Sequence, residues 1–332
     1  MADGHGSAPH FVTVVPEHEI AGLVTAEAAF EAVEATFGAM SAGSAYNFPV
    51  IREAIGHADA LYGFKSGFDR DALALGLKSG GYWPGNAERG LTNHQSTVIL
   101  FDADTGRVKA LVGGNLLTAL RTAAASAVSI KHLARKDAKV LGMIGAGHQS
   151  AFQMRAAAAQ RDFEKVVGWN YHPEMIGRLA ETAEELGLPF EQVSLEELGA
   201  QSDVIVAITS SFAPSLMDAH VRPGTHLACM GTDTKGKQEV EATLLARATV
   251  FTDEIAQSVS IGEAQHAVAA GLIAEGDIAE IGTVVNGTHP GRTSDDEITL
   301  FDGTGVGLQD LAVAAKAVEL ALAKGIAQQV AF

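Results

Sequence analysis

The sequence predicts an α/β protein with a parallel sheet in one domain and a second domain of α+β type. Three observations carry this. The stretch AKVLGMIGAGHQSAFQMR (138–155) reads as a buried strand, a glycine turn and the start of a helix. Apolar runs such as KVVGWN (165–170) and DVIVAITSS (203–211) alternate with helical patterns, as strands covered on both faces do. The N-terminal third is made instead of shorter, hairpin-like pieces.

Composition sets the outer bounds. A chain of 332 residues predicts two domains, and 47% hydrophobic residues with 36 glycines fit a well-packed α/β protein with many tight turns. The net charge of −17 argues against a nucleic-acid partner, because no basic tract exists to neutralise phosphates. Any anionic ligand must therefore be held by a few placed cations. The one cysteine, Cys229, excludes an intrachain disulfide and fits a reducing compartment. No apolar run approaches the roughly 18 residues of a membrane span. MADGHGSAPH at the start lacks the basic and apolar regions of a signal peptide. These features predict a soluble, cytoplasmic protein without membrane partners.

In chain order, residues 1–10 are small and polar and are predicted disordered. FVTVV (11–15) is the first strand; a helix follows Pro16, and Thr25 caps a second over 27–40. SAGSAYNFPV (41–50) reads as a loop that delivers Arg52. ALYGFKSGF (60–68) and ALALGLKSGGYW (72–83) are strand-like, each ending at a Lys-Ser-Gly, before Pro84-Gly85-Asn86 breaks the chain. STVILFDADTGRVKALVGG (96–114) predicts a hairpin about its Asp-Thr-Gly turn. The alanine-rich pattern 117–133 is a helix carrying Arg121, whose alanine neighbours read as buried. After the glycine turn come a helix over 173–187, strands at THLACMGTD (225–233) and ATVFTD (248–253), and a helix over 254–270. A loop (282–297), a last strand ITLFDG (298–303) and a helix over 309–324 complete the chain.

In the glycine turn, Gly145 permits the tight bend and Gly147 permits close approach of a pyrophosphate. The following helix N-terminus offers unpaired N–H groups and a positive dipole end to that anion, which makes His148 and Gln149 candidate contacts. Ser150 stands where the fingerprint has its third glycine. Ligands of parallel sheets sit outside the carboxyl ends of the strands. Those ends are Gly145, Asn170, Thr209-Ser210 and Gly231-Thr232-Asp233, each small or polar. Asn170 stands where an Asp or Glu would bond the adenosine ribose of NAD; it bonds hydroxyls too but does not repel a 2′-phosphate. No cluster has metal-ligand spacing, and no nucleophile-elbow serine occurs.

Five stretches together resemble the ornithine cyclodeaminase/mu-crystallin family: LKSGGYWPGN (77–86), LLTALRTAAASAVS (116–129), IGAGHQSAFQ (144–153), GTDTKGKQEV (231–240) and LFDGTGVGLQDLA (300–312). The resemblance implies a homodimer with a Rossmann-type nicotinamide-binding domain over 122–306. Residues 1–121, completed by 307–332, would form the substrate-binding and dimerisation domain. The substrate is implied to be a 2-amino or 2-imino acid. Within the family the chain looks most similar to the branch that reduces iminosuccinate to aspartate. An alanine dehydrogenase-like reaction, an ornithine cyclodeaminase-type lyase and a non-enzymatic crystallin-like cofactor binder are the alternatives.

By the same resemblance Lys78 contacts the substrate carboxylate or imine and Arg121 grips the carboxylate, with Arg52 as a second substrate arginine. Asp233 relays a proton at the substrate nitrogen. Thr304, in Gly303-Thr304-Gly305, stands beside the substrate; Thr209, Met230, Gly231, Lys237 and Gly303 line the cofactor. The NADP-preferring members have an arginine after the asparagine; Tyr171 and His172 stand here, which favours NAD while leaving NADP open. Lys65, Tyr46 and His94 are extra polar groups that a second substrate carboxylate could use.

Overall fold

The computed structural model describes residues 10–332. The disorder expected over residues 1–10 lies outside the described residues, except at His10, whose Nε2 bonds the Val108 carbonyl at 2.7 Å. The chain opens with β1 (Phe11–Val15), α1 (Glu17–Leu23) and α2 (Ala26–Ser41). The Thr25 hydroxyl accepts from the Ala28 amide, the expected cap. Strands β2 (Ala45–Asn47), β3 (Ile51–Ala54), β4 (Leu61–Asp69), β5 (Ala74–Tyr82), β6 (His94–Phe101) and β7 (Val108–Gly113) follow, then α3 (Asn115–Leu133). The chain continues through β8 (Val140–Ile144), α4 (Ser150–Ala158), β9 (Lys165–Trp169), α5 (Gly177–Glu185), β10 (Phe190–Gln192), α6 (Leu195–Gln201) and β11 (Val204–Ala207). Next are β12 (Phe212–Leu216), β13 (His226–Cys229), β14 (Gln238–Val240), α7 (Ala242–Arg247), β15 (Thr249–Thr252), α8 (Ile255–Ile261) and α9 (Ala264–Ala269). Then come β16 (Ile278–Glu280), α10 (Ile281–Val285), β17 (Thr299–Asp302), α11 (Gly307–Lys324) and β18 (Gln328–Ala331).

Two compact units emerge. The first holds the residues up to Ala32, Ser44–Thr118 and Gly307–Phe332; the second holds Val33–Gly43 and Ala119–Val306. The chain passes from one unit to the other inside α2 and again in the first turn of α3. Residues 33–43 depart from the expected first segment because Phe37 packs edge-on against Phe301, with ring centroids 6.2 Å apart.

In the first unit an eight-stranded sheet runs β18-β1-β7-β6-β5-β4-β2, with β3 also on β4. Only β1 and β7 pair in parallel. Two expectations need correction here. Arg52 lies on β3 rather than at the end of a loop. Both Lys-Ser-Gly triplets lie inside strands, and Lys65 sits directly opposite Lys78 in the β4–β5 ladder. The strand-like pieces are β4 and β5 as expected, but each runs on past its triplet, whose glycines are needed because a Cβ on Gly67 would stand 2.8 Å from the Tyr46 carbonyl oxygen and one on Gly80 2.3 Å from that of Gln95.

The second unit carries an eight-stranded sheet in the order β10-β9-β8-β11-β13-β17-β15-β16. Every ladder in it is parallel. Its central strands β8, β11, β13 and β17 are almost wholly buried, which explains their unbroken apolar runs. Cys229 lies among them and is fully buried. The helix expected over 254–270 is two helices, α8 and α9, parted at Gly262, where a Cβ would stand 2.5 Å from the Asp302 carboxylate. The loop expected over 282–297 begins inside α10. Among the described residues no helix is long and apolar enough to cross a membrane.

Candidate functional site

All the strands of the second unit's sheet point the same way, so their carboxyl ends line one edge. The turn after β8 is built for a close visitor. Gly145 has φ +106°, and a Cβ there would stand 2.6 Å from the Ile208 carbonyl oxygen; only glycine fits unstrained. A Cβ on Gly147 would meet nothing within 4 Å, so the backbone is open on that side. Ser150 closes the first helical turn by donating its hydroxyl to the Gly147 carbonyl at 2.8 Å. His148 is exposed; Gln149 is half-buried, and its Oε1 is buried with no hydrogen-bond partner among the described residues. An open glycine backbone at a helix N-terminus, beside an unsatisfied polar atom, fits a pyrophosphate-bearing cofactor.

Asn170 holds that turn in shape. Its Oδ1 accepts from the Ala146 amide at 2.8 Å and its Nδ2 donates to the His172 carbonyl at 2.8 Å. Arg178, in the first turn of α5, donates to the Ala146 carbonyl at 3.5 Å. The arginine comes from the next helix, eight residues beyond Asn170, where no local motif marks it.

Buried carboxylates set the neighbouring loops. Glu239 Oε1 accepts from the Thr209 amide (2.6 Å) and hydroxyl (2.8 Å), and its Oε2 accepts from the Gly231 amide (2.8 Å). Glu263 accepts from the Glu239 and Val240 amides and from the Thr232 hydroxyl. Burial pushes the Glu263 carboxyl up to about 8, with the nearby Glu239 charge adding to it; burial also raises Glu239. Asp302, also fully buried, is pushed up to about 7 by the same loss of hydration. These groups were missed in the sequence. Glu239 lies in the charged run KGKQEVE (235–241), which locally looks solvated, and only the fold turns it inward toward Glu263, which comes from a segment more than 20 residues away.

Asp233 follows this braced turn and is half-buried. Lys237 Nζ donates to Asp233 Oδ1 at 2.7 Å and to the Gly231 carbonyl at 3.2 Å, so Lys237 is pinned rather than solvated. Met230 is buried, and a Cβ on Gly303 would lie 2.6 Å from its sulfur. Thr304 is buried and donates its hydroxyl to Asp253 Oδ1 at 2.6 Å, while the Gly305 amide donates to Asp253 Oδ2 at 2.7 Å. Gly305 has φ +74°, and a Cβ there would stand 2.6 Å from Arg121 Nη1. The glycine thus makes room for the guanidinium, and Arg121 is buried as its alanine neighbours predict.

In the first unit, Lys78 is 7% exposed. Its ammonium lies 3.0 and 2.9 Å from the two carboxylate oxygens of Asp310 on α11, and 3.4 Å from Thr118 Oγ1 on α3. Thr118 in turn donates to the Gly114 carbonyl. Arg52 is exposed on β3, and His94 and Lys65 are half-buried. Tyr46 pairs with Phe68, so it faces away from Lys65 and Lys78, with Arg70 stacked 5.2 Å from its ring.

A parallel sheet with a glycine turn, open backbone and polar strand ends defines a dinucleotide-binding protein. The sequence profile of the ornithine cyclodeaminase/mu-crystallin family matches residues 12–325, and the chain belongs to that family. It is 72% identical over 317 residues to the iminosuccinate reductase of Paracoccus denitrificans (strain Pd 1222), covering 96% of this chain and 99% of that one. The crystal structure of the Paracoccus denitrificans iminosuccinate reductase in complex with NAD+ superposes with a TM-score of 0.94 at 70% identity, over 97% of this chain and 100% of that one. An archaeal alanine dehydrogenase dimer with bound NAD superposes with a TM-score of 0.92 at 31% identity, over 97% and 100%.

Proposed function

We propose that the chain is an NAD-dependent imine reductase that converts iminosuccinate to L-aspartate, and equally the dehydrogenase of that amino acid in reverse. The observation that carries this is the 72% identity to an iminosuccinate reductase over nearly the whole length of both chains. Gly145, Gly147, His148, Gln149, Asn170, Thr209, Met230, Gly231, Lys237 and Gly303 would hold the cofactor. When bound, the nicotinamide supplies the hydride that adds to the imine carbon.

The chain's own residues bind, orient and protonate. Arg121 pairs bidentately with the α-carboxylate, with Arg52 as the second arginine. Lys78, paired with Asp310, donates to the substrate carboxylate or imine. Asp233 relays a proton taken up from water to the imine nitrogen, and Lys237 fixes its carboxyl group. Thr304, turned toward Asp253, shapes the site beside Arg121. Most of the rate enhancement comes from positioning and charge complementarity. An ornithine-like substrate carries a distal ammonium, to which Arg52 and Lys65 are ill suited.

The assembly we propose is a homodimer. Large apolar side chains stand exposed on the first unit's sheet, among them Ile51 at 49%, Tyr62 at 37% and Phe64 at 37%. The proposed compartment is the cytoplasm, where a lone buried thiol and a pool of NADH both fit. The test follows NADH absorbance with iminosuccinate and with a panel of 2-oxo acids plus ammonia. Oxidation that is strongest with the C4 dicarboxylic imine supports the reading. Proline formation from ornithine without net NADH change, or oxidation with pyruvate and ammonia alone, overturns it.

A further inference from the structure

A dinucleotide lies across the edge of a parallel sheet at the point where the strand order reverses. In the second unit that point falls between β8 and β11. The chain runs from β8 outward to β9 and β10, then returns to β11 and β13 on the other side. Asn170, at the end of β9, marks the adenosine side, and the glycine turn after β8 receives the pyrophosphate. The nicotinamide half therefore falls to the loops after β11 and β13, which carry Thr209 and Gly231.

Both loops are held by one side chain. Glu239, on β14 and 1% exposed, accepts from the Thr209 amide and hydroxyl through Oε1 and from the Gly231 amide through Oε2. The Gly231 carbonyl accepts in turn from Lys237 Nζ, so both polar atoms of that residue's backbone are committed. A Cβ on Gly231 would run into the Thr209 carbonyl oxygen and stand 2.6 Å from Glu239 Oε1, so the carboxylate joins the two loops where they come closest. Glu239 is itself fixed from behind. Its amide donates to the two oxygens of Glu263 at 2.9 and 3.1 Å, and Glu263 also accepts from the Thr232 hydroxyl. Burying a carboxylate costs hydration that its hydrogen bonds largely offset; what remains is the geometry they impose.

We propose that Glu239 is the positioning residue for the nicotinamide end of the cofactor, its carboxylate setting the spacing of the Thr209 and Gly231 loops that receive the ring and its ribose. This rests on the NAD-dependent reduction proposed above. Glu239→Gln keeps the shape but supplies one acceptor oxygen and one NH2 group, so either Thr209 or Gly231 meets a donor instead of an acceptor. Binding is measured by calorimetry for NADH and for ADP-ribose, which carries the adenosine and the pyrophosphate but no nicotinamide. The expected result is an NADH affinity lower on the order of 10- to 100-fold in Glu239→Gln, with ADP-ribose bound as tightly as by the parent. Thr209→Val removes only the hydroxyl bond and should give a smaller loss of the same kind. If Glu239→Gln does not fold, and so binds neither ligand and shows no cooperative unfolding, the same two affinities in Thr209→Val decide the matter. Affinities that fall equally for both ligands, or for neither, leave Glu239 a structural role alone and overturn the proposal. A parent that binds NADH but leaves iminosuccinate unreduced overturns the substrate assignment and not the role of Glu239, which these affinities decide.

Discussion

Replacing Asp310 by Asn keeps the shape of the group that meets Lys78 and removes its charge. The pair is deeply buried, with side-chain exposures of 8% for Lys78 and 0% for Asp310. At the observed 2.9 Å and an effective dielectric near 20, the lost attraction is on the order of 5 kcal/mol. Removing one partner of a buried pair typically costs about 3–5 kcal/mol, because the other charge is left in a poor solvent. Asp310→Asn should therefore lower stability by about 3–5 kcal/mol in urea unfolding, and the melting temperature by roughly 10 °C. A double variant, Lys78→Met with Asp310→Leu, removes both charges and should return to within about 2 kcal/mol of the parent while remaining inactive. A single-variant loss below about 1 kcal/mol, or strictly additive losses in the double, would refute the idea that Lys78 and Asp310 stabilise the interior as a pair.

Asp233→Asn should lower kcat by at least about 100-fold with NADH affinity nearly unchanged; a collapse of cofactor binding would remove Asp233 from the proton step. Glu263, pushed up to about 8, and Asp302, pushed up to about 7, hold protons in the folded state that the unfolded chain has already released above ordinary values of 4.5 and 3.8. Their contribution to stability is present in full below those ordinary values and is lost as pH rises through about 7 to 8. Melting temperature should accordingly fall from mildly acid to mildly alkaline pH, and Glu263→Gln should flatten that slope; a parent slope of opposite sign contradicts the assignment. Gly145→Ala must strain a φ of +106° and should cost about 1–3 kcal/mol of stability. Gly147→Ala meets open space, so it should leave unfolding within about 0.5 kcal/mol of the parent yet weaken NADH binding by calorimetry.

Elements whose local pattern agreed with their packing were legible in the sequence. Strand β8, the turn at Gly145 and the buried strands β11, β13 and β17 belong here, since a parallel strand covered on both faces has little choice but an apolar run. The strands β10, β12, β14 and β16 were not, because each is short and its partner lies far along the chain. The strands holding the Lys-Ser-Gly triplets were legible, but their expected ends at the triplets were wrong for a physical reason. Glycine signals a turn when read locally, but here it marks strand positions where α11 or a neighbouring backbone comes too close for a Cβ. The burial of Arg121 was legible in its alanine neighbours, whereas the inward-turned Asp310, Glu239, Glu263 and Asp253 were not legible. A carboxylate that braces a loop or an ammonium from a distant segment carries no local spacing to betray it.

The first unit is assembled from both ends of the chain. β18 pairs antiparallel with β1, and the last residue's amide reaches the His10 carbonyl at 2.9 Å. On the ribosome this imposes an order of events. The parallel sheet is complete once β17 has been made, so the second unit can fold while translation continues. The first sheet must wait for α11 and β18, and Lys78 meets Asp310 only after 232 further residues have been synthesised. A stop codon just after Val306 would leave a nascent chain able to form the parallel sheet, but with Lys78 deprived of the Asp310 carboxylate and with an unsealed sheet edge. Such truncated chains should be prime clients for chaperones and proteases.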